Sequence, residues 1–404
     1  MTTRGVIFIR NVLKSFSAIA FTTVVCIHAG GCATNSSPPI YERSPELSAE
    51  STSEAELLDV GIELFSVGNT NELDPARLQI RNAESVFIPV QIRDALSNQG
   101  IWGVVSLLPV AHSQTDILIT GEIQKTGGES FGILVNAADS TGAVWIIKAY
   151  KMDIDPATCM VGSETTSKVF ENLYQEIAND IAVVLQARGA KERKNIRSVS
   201  MVRFARDFAP DVYSNYLIAD PKGHFAIADK IPSEYAFGKR IEKIRARDQM
   251  FVDLLNEEYS AFAEEFSIPY VQWTLEECMA ISAMRQAKSR TARKIFGGVA
   301  NVFAGLNPLT MFQVLLNPSA AKGIGFGSTE ILEGVGSRQD VKMHAETLVE
   351  LSESLSAKIG PTVLELEDRT IRLIGNVGEQ YAQWRETLRQ MYLTDEIVEM
   401  PVAR

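Results

Sequence analysis

The sequence predicts an α+β sheet domain followed by a mostly α-helical domain with long helices, both behind a secretory leader. Three observations carry this. Between residues 57 and 187, short apolar runs separated by glycine-bearing turns are bracketed by segments of helical period. From residue 188 onward, apolar residues recur every three or four positions over long spans. Ahead of both, a basic head and a short apolar stretch end on small residues and one cysteine. With 404 residues the chain can bury one large core or two ordinary ones.

The leader comes first. Arg4, Arg10 and Lys14 precede an apolar run from Phe16 to Ile27, which leads into Ala29-Gly30-Gly31-Cys32. That run is shorter than the about 20 residues a membrane-spanning helix needs. Residues 1–31 therefore read as a signal peptide. The segment resembles the lipobox of bacterial lipoproteins, with Ala29 standing where that family usually carries Leu. The resemblance implies that Cys32 becomes the acylated first residue of the mature chain, palmitate included. By the sorting rules of that family, Ala33 after the cysteine implies the outer membrane, facing the periplasm. Residues 32–56, rich in Ser, Pro, Glu and Thr, read as a flexible tether.

Formal charge is −11, and removal of the three leader cations brings the mature chain near −14. Such a balance excludes generic nucleic-acid binding, which needs a basic footprint. Beyond Cys32 the mature chain keeps Cys159 and Cys278. An oxidising periplasm allows one disulfide between them. The reading adopted is two separate buried thiols, and two cysteines at this spacing match no metal-ligand pattern.

Within 57–187, Leu57–Val67 reads as a strand. After Asp74-Pro75 a helical pattern (Ile80, Ala83, Val86, Val90, Ala95) runs to about Asn98, with a kink or break expected at Pro89. Trp102–Leu108, Asp116–Lys125, Phe131–Ala138 and Val144–Met152 read as strands, the last three separated by Thr126-Gly127-Gly128 and Asp139-Ser140-Thr141-Gly142. Val169, Leu173, Ile177, Ile181 and Leu185 stand at helical spacing and close the unit.

Two phrases in this stretch, Thr115-Asp116-Ile117-Leu118-Ile119-Thr120-Gly121-Glu122-Ile123 and Asp139-Ser140-Thr141-Gly142-Ala143-Val144-Trp145, carry a second resemblance. They resemble the periplasmic lipoprotein domain shared by the curli-secretion lipoprotein, the activators of penicillin-binding proteins and the amino-terminal part of TolB. The likeness covers about residues 55–187. It implies an α+β meander and no catalytic residue, because the same fold serves pores, regulators and scaffolds.

Residues 188–398 read as the helical domain. Arg188, Lys191, Arg193, Lys194, Arg197, Arg203 and Arg206 form a basic block, read as a solvated face paired with the acidic remainder. A surface for anionic lipid or an acidic partner is the alternative. Phe251, Leu254, Leu255, Tyr259, Phe262 and Phe266 make an apolar stripe, with a break expected at Ile268-Pro269 and a new helix from Val271. Tyr259, Tyr270 and Trp273 read as an aromatic cluster at that corner. Ile295–Ala321 carries no charge, and the Gly-rich apolar segment 295–336 reads as a packed helical hairpin with a glycine loop. Residues 340–396 read as one long helical segment, with a corner at Gly360-Pro361 after which Val363, Leu366, Leu373 and Val377 continue the stripe.

Several constellations imitate active sites. Ser319-Ala320-Ala321-Lys322, Tyr213-Ser214-Asn215 and Lys125-Thr126-Gly127 match the three motifs of penicillin-recognising serine enzymes, but in reversed order. Gly323-Ile324-Gly325-Phe326-Gly327 follows no strand and lacks the dinucleotide-binding spacing. His112, His224 and His344 are widely separated, and Glu257-Glu258 and Glu276-Glu277 read as solvated helix faces. Trp102 and Trp145 read as core or sheet-edge residues. The expectation is a lipid-anchored periplasmic binding or scaffold protein of a cell-envelope complex. It has no catalysis, no cofactor and no metal, its membrane contact is through acylated Cys32, and it pairs with an envelope protein or with itself. The alternative is a membrane-inserting assembly factor or pore subunit that uses residues 295–336.

Overall fold

The computed structural model describes residues 57–109, 115–154, 159, 162–228, 236–295, 336–358, 362–366 and 369–399, apart from positions 72, 129 and 222. It has an amino-terminal mixed sheet of five strands followed by helices. Cys32, the tether, His112 and residues 296–335, with the Ser319–Lys322 motif, lie outside the described residues.

The sheet runs β2-β1-β3-β4-β5, with β1 (Val60–Glu63) parallel to β2 (Val105–Leu108) and to β3 (Ile117–Lys125). β4 (Ser130–Asp139) and β5 (Val144–Asp153) continue it antiparallel. Strand periodicity sorts the side chains: Ile117, Ile119, Ile123, Ile133, Val135 and Ala137 are fully buried, while the alternate positions Thr120, Glu122, Leu134 and Asn136 keep exposure. Helix α1 (Pro75–Ser97) crosses from β1 to β2, and α2 (Ser163–Gln186) packs on α1 and β5. Gly121 is required in β3, since a Cβ there would stand 2.5 Å from the Phe65 ring.

Helix α1 starts where the sequence says it should. Asp74 accepts the Arg77 N–H at 2.9 Å, and proline fills the first helical turn. Pro89 does not break it. A proline at that position removes the donor for the Ser85 carbonyl, and the Phe65 N–H takes that carbonyl instead at 2.9 Å. The missing bond is replaced by a bond to the strand side, so the helix runs on.

Beyond the sheet come α3 (Ala190–Phe208), a turn of helix at Pro210–Tyr213, and a small hairpin of β6 (Leu217–Ala219) and β7 (Phe225–Ile227). Helix α4 (Ala236–Ile295) has 60 residues, about 90 Å at 1.5 Å per residue. The break expected at Pro269 is absent. Phe262, Phe266, Tyr270 and Trp273 stand at helical spacing on both sides of it, and Phe87 and Phe170 contact their rings at 5.2–5.9 Å. The aromatic cluster therefore lies along an uninterrupted helix face rather than at a corner. Helix α5 (Gly336–Lys358) packs on α4 and α1.

The helical reading of 362–373 is corrected. Thr362–Leu366 and Arg369–Leu373 pair antiparallel as β8 and β9, with Leu364 opposite Ile371. Their alternation of β-branched and polar residues suits a half-buried strand better than a helix stripe. Helix α6 (Val377–Glu399) then starts at a reciprocal cap, in which Asn376 Oδ1 accepts the Glu379 N–H and Glu379 Oε2 accepts the Asn376 N–H, each at 3.0 Å. Trp384, Tyr381 and Leu388 are buried against α4, with Phe251 5.6 Å from Tyr381 and 6.3 Å from Trp384. Buried residues of the sheet half and the helical half join one hydrophobic cluster.

Two further links tie the halves. Cys159 and Cys278 form a disulfide, with Cα atoms 6.3 Å apart and both residues buried, which corrects the separate-thiol reading. The fold brings Cys159 to Cys278 of helix α4 across 119 residues, a proximity no spacing in the sequence expresses. The outer backbone of β2 is the second link: Leu107 donates its N–H to Asn256 Oδ1 at 2.8 Å, and Asn256 Nδ2 donates to the Leu107 carbonyl at 2.9 Å. One side-chain amide thus substitutes for a neighbouring strand. Replacing Asn256 with Ala leaves both Leu107 groups unsatisfied, and urea denaturation should show a loss of about 1–3 kcal/mol with the fold retained. The Cys159→Ser/Cys278→Ser variant should lose about 2–5 kcal/mol in the same assay, and reductant should produce a similar loss in the parent but none in the variant.

Candidate functional site

The densest polar arrangement in the interior sits where the β3–β4 turn meets helices α1 and α4. Arg77, Arg81 and Glu84 share one face of α1 at spacings of four and three residues. Glu84 is fully buried. Its Oε2 accepts from Arg81 Nε at 3.0 Å and from the Thr126 hydroxyl at 2.7 Å, and its Oε1 accepts from the Tyr270 hydroxyl at 2.9 Å. Arg81 also donates to the Val67 carbonyl at 3.2 Å. Complete burial holds the Glu84 carboxyl above the ordinary glutamate range, and Arg81 with the two hydroxyls offsets only part of that. The same burial raises Tyr270 and Tyr174, and the Tyr174 hydroxyl has no hydrogen-bond partner among the described residues.

Two turns further along α4 from Tyr270, Glu277 pairs with Arg77 and accepts the Gly128 N–H at 2.8 Å, while Arg77 lies 4.9 Å over the Trp273 ring. Gly128 is required here, because a Cβ would stand 2.3 Å from the Cys278 backbone nitrogen. Glu277 is 3% exposed, so the solvated-face reading of Glu276-Glu277 is corrected: Glu277 seats the hairpin, and Glu276 pairs with His344 Nδ1 at 3.0 Å. Sequence reasoning missed Glu84, Glu277 and Asn256. The available signal was charge on the apolar face of α1, where Arg77, Arg81 and Glu84 interleave with Ile80, Phe87 and Ile88.

A second carboxylate group lies at the other end of the sheet. Asp116 is buried and accepts from the Ser200 hydroxyl and from the Asp59 N–H at 2.9 Å; burial raises its carboxyl as well. Asp59 accepts from Arg245 at 3.1 Å and from the Val104 N–H at 3.0 Å. Asp139 accepts from the Thr141 N–H at 2.9 Å and from Trp145 Nε1 at 2.8 Å, closing the β4–β5 turn. The aspartates of both motif phrases are thus occupied by turn and helix-docking bonds.

Of the serine-enzyme motifs, Ser319–Lys322 lies outside the described residues, and the other two stand on separate elements. Thr126 is held by Glu84 and Arg81, and Tyr213 neighbours Tyr216 at the single helical turn. His224 contacts Asp220 within the β6–β7 turn at 3.2 Å. Among the described residues no cluster of three metal-ligating side chains occurs. In the basic block, Arg188 pairs with Glu192, and Arg197 donates to the Leu57 carbonyl at 2.5 Å. Trp145 is buried in β5, while Trp102 is buried in the turn before β2 rather than on a strand.

The surface contrast is between the two sheet edges. β2 is covered by Asn256, whereas β5, ten residues long, ends the sheet. Val144 and Ile147 on it are 55% and 67% exposed, and Ala149 and Lys151 are exposed beside them. Such an edge offers unpaired backbone groups together with apolar side chains. No family model, curated protein or solved structure matches this chain. Among the described residues, no helix is long and apolar enough to cross a membrane.

Because Glu84 and Asp116 bind protons more tightly in the folded chain than in the unfolded one, their contribution to stability is full below about pH 4 and declines as pH rises through the elevated folded values. Glu84→Gln keeps an acceptor for Thr126 and Arg81 and turns an amide toward Tyr270. Its denaturation midpoint should fall less steeply than the parent's between pH 4 and pH 8.

Proposed function

We propose that the protein is a lipid-anchored binding or scaffold protein of the cell envelope, held by acylated Cys32 and engaging a partner along strand β5. The observation that carries the binding reading is the unequal treatment of the sheet edges: one is covered by a helix side chain, and the other is left open with Val144 and Ile147 exposed. Edge strands are normally covered, shortened or charged because they invite a further strand. Here a ten-residue one keeps exposed Val144 and Ile147 alongside its lysines. The leader supports a place outside the cytoplasm. The Cys159–Cys278 disulfide supports it independently, since such bonds persist in oxidising compartments. The motif phrases that resemble the envelope lipoprotein domain agree with this reading, and the partner they suit is another envelope protein.

The anchor and the edge are tested together in envelope fractions. Mass analysis of the processed amino terminus should find Cys32 as the first residue and acylated. A photocrosslinker at Lys151 should give one adduct of defined mass, weakened several-fold by Ile147→Asp and absent when the probe is placed at the equally exposed Ile268 on α4. Unprocessed protein in the cytoplasm would sink the anchor. Equal adducts from both positions would sink the β5 interface, and a ring-sized oligomer in detergent would favour the pore reading.

A further inference from the structure

The basic block of α3 separates into two groups once its contacts are known. Arg188 is neutralised by Glu192, and Arg197 is bound near Asp59 and the Leu57 carbonyl. Arg203 and Arg206, one helical turn apart, have no carboxylate within ion-pair distance among the described residues. Arg203 is half-buried and fixed: it donates to the Ser140 carbonyl at 2.7 Å, and its guanidinium lies 4.9 Å over the Phe225 ring of β7. Its Nε is buried without an acceptor. The nearest acid in sequence, Asp207, is engaged by Arg385 at 3.2 Å. Desolvation and, after it, the neighbouring Arg206 pull the Arg203 guanidinium below the usual arginine range, and Asp207 opposes them only in part.

Two like charges, one of them partly desolvated and rigidly held, carry an electrostatic cost that Asp207 offsets only in part and that a bound anion would offset further. A single guanidinium can satisfy a planar carboxylate. Two guanidinia one helical turn apart supply more donors and more charge, which suits a tetrahedral oxyanion. We propose that Arg203 and Arg206, backed by the Ser140 carbonyl and Phe225, form a binding site for a phosphate group, free or on a lipid headgroup. Arg203 is the pre-positioned element, because its carbonyl bond and ring contact fix it before any ligand arrives. Arg206 is the more adaptable one, with no partner to release. The site depends neither on the acyl anchor nor on the β5 interface.

Arginine-specific modification by phenylglyoxal, read peptide by peptide, tests this on the full chain in nanodiscs of zwitterionic lipid. Inorganic phosphate should slow the modification of Arg206 several-fold, and chloride at equal ionic strength should not. Discs containing phosphatidylglycerol, with no phosphate added, form the second arm: slowing there identifies a headgroup as a source, and slowing by phosphate alone identifies the free ion. Arg203→Gln should abolish the protection of Arg206 in whichever arm shows it, while Arg203→Lys should retain part. The proposal is overturned if Arg206 reacts at the same rate in both arms, if chloride protects equally, or if Arg203→Gln leaves the protection intact.

Discussion

The seating of the β3–β4 turn on helix α4 is the constraint from which the rest of the architecture follows. A turn that must press its backbone against a helix can carry no side chain at the contact, and Gly128 meets the Cys278 nitrogen on that condition. Its N–H then needs an acceptor away from water, which Glu277 provides. A buried carboxylate needs a cation, which Arg77 provides from α1. The neighbouring carboxylate of Glu84 is tied to the same turn through Thr126 and to the same helix through Tyr270. Sheet, α1 and α4 are therefore joined through buried polar groups that satisfy one another, and the disulfide at Cys278 adds a covalent tie beside them. Such a junction specifies one docking geometry more than it adds net stability, because desolvation consumes much of what the pairs gain.

That geometry explains why the two sheet edges differ. Once the turn is seated, α4 passes beside β2, close enough for one asparagine to satisfy both polar groups of Leu107. No described strand joins β5, on the far side of the sheet. Lys148 on it is drawn back to Glu176 and Asp180 of α2, so the charge that would otherwise guard the middle of the edge is partly neutralised. The open edge is a consequence of which side the long helix covers.

How much of this was legible follows from where each signal resides. The strands of the meander were read to within a few residues because alternation and turn glycines are local properties. Neither proline ends its helix, although a break at each is what a helix judged alone suggests. At Pro89 the replacement donor is Phe65, 24 positions away in sequence and on another element. Residues 362–373 misled because leucine and valine at irregular intervals satisfy a helical stripe as readily as a strand. The Asn376-Val377-Gly378-Glu379 cap, a local signal, marks where the last helix begins. The polar junction was the least legible part. Glu84 and Glu277 lie far apart in the chain and look like ordinary surface acids until the fold makes them neighbours of one turn.

The aspartates of the motif phrases show what a short shared pattern encodes. Asp116 is fixed by Ser200 and the Asp59 backbone, and Asp139 by its own turn and Trp145. A carboxylate engaged in this way is part of the scaffold: it closes the end of the sheet and docks α3, and it has no free oxygen directed at a substrate. Such residues recur wherever the same corner must be closed, whatever the protein does. Function has to be sought where the fold leaves chemistry unspent, at the rim of β5 that no described strand covers and at the two arginines of α3 that make no ion pair among the described residues.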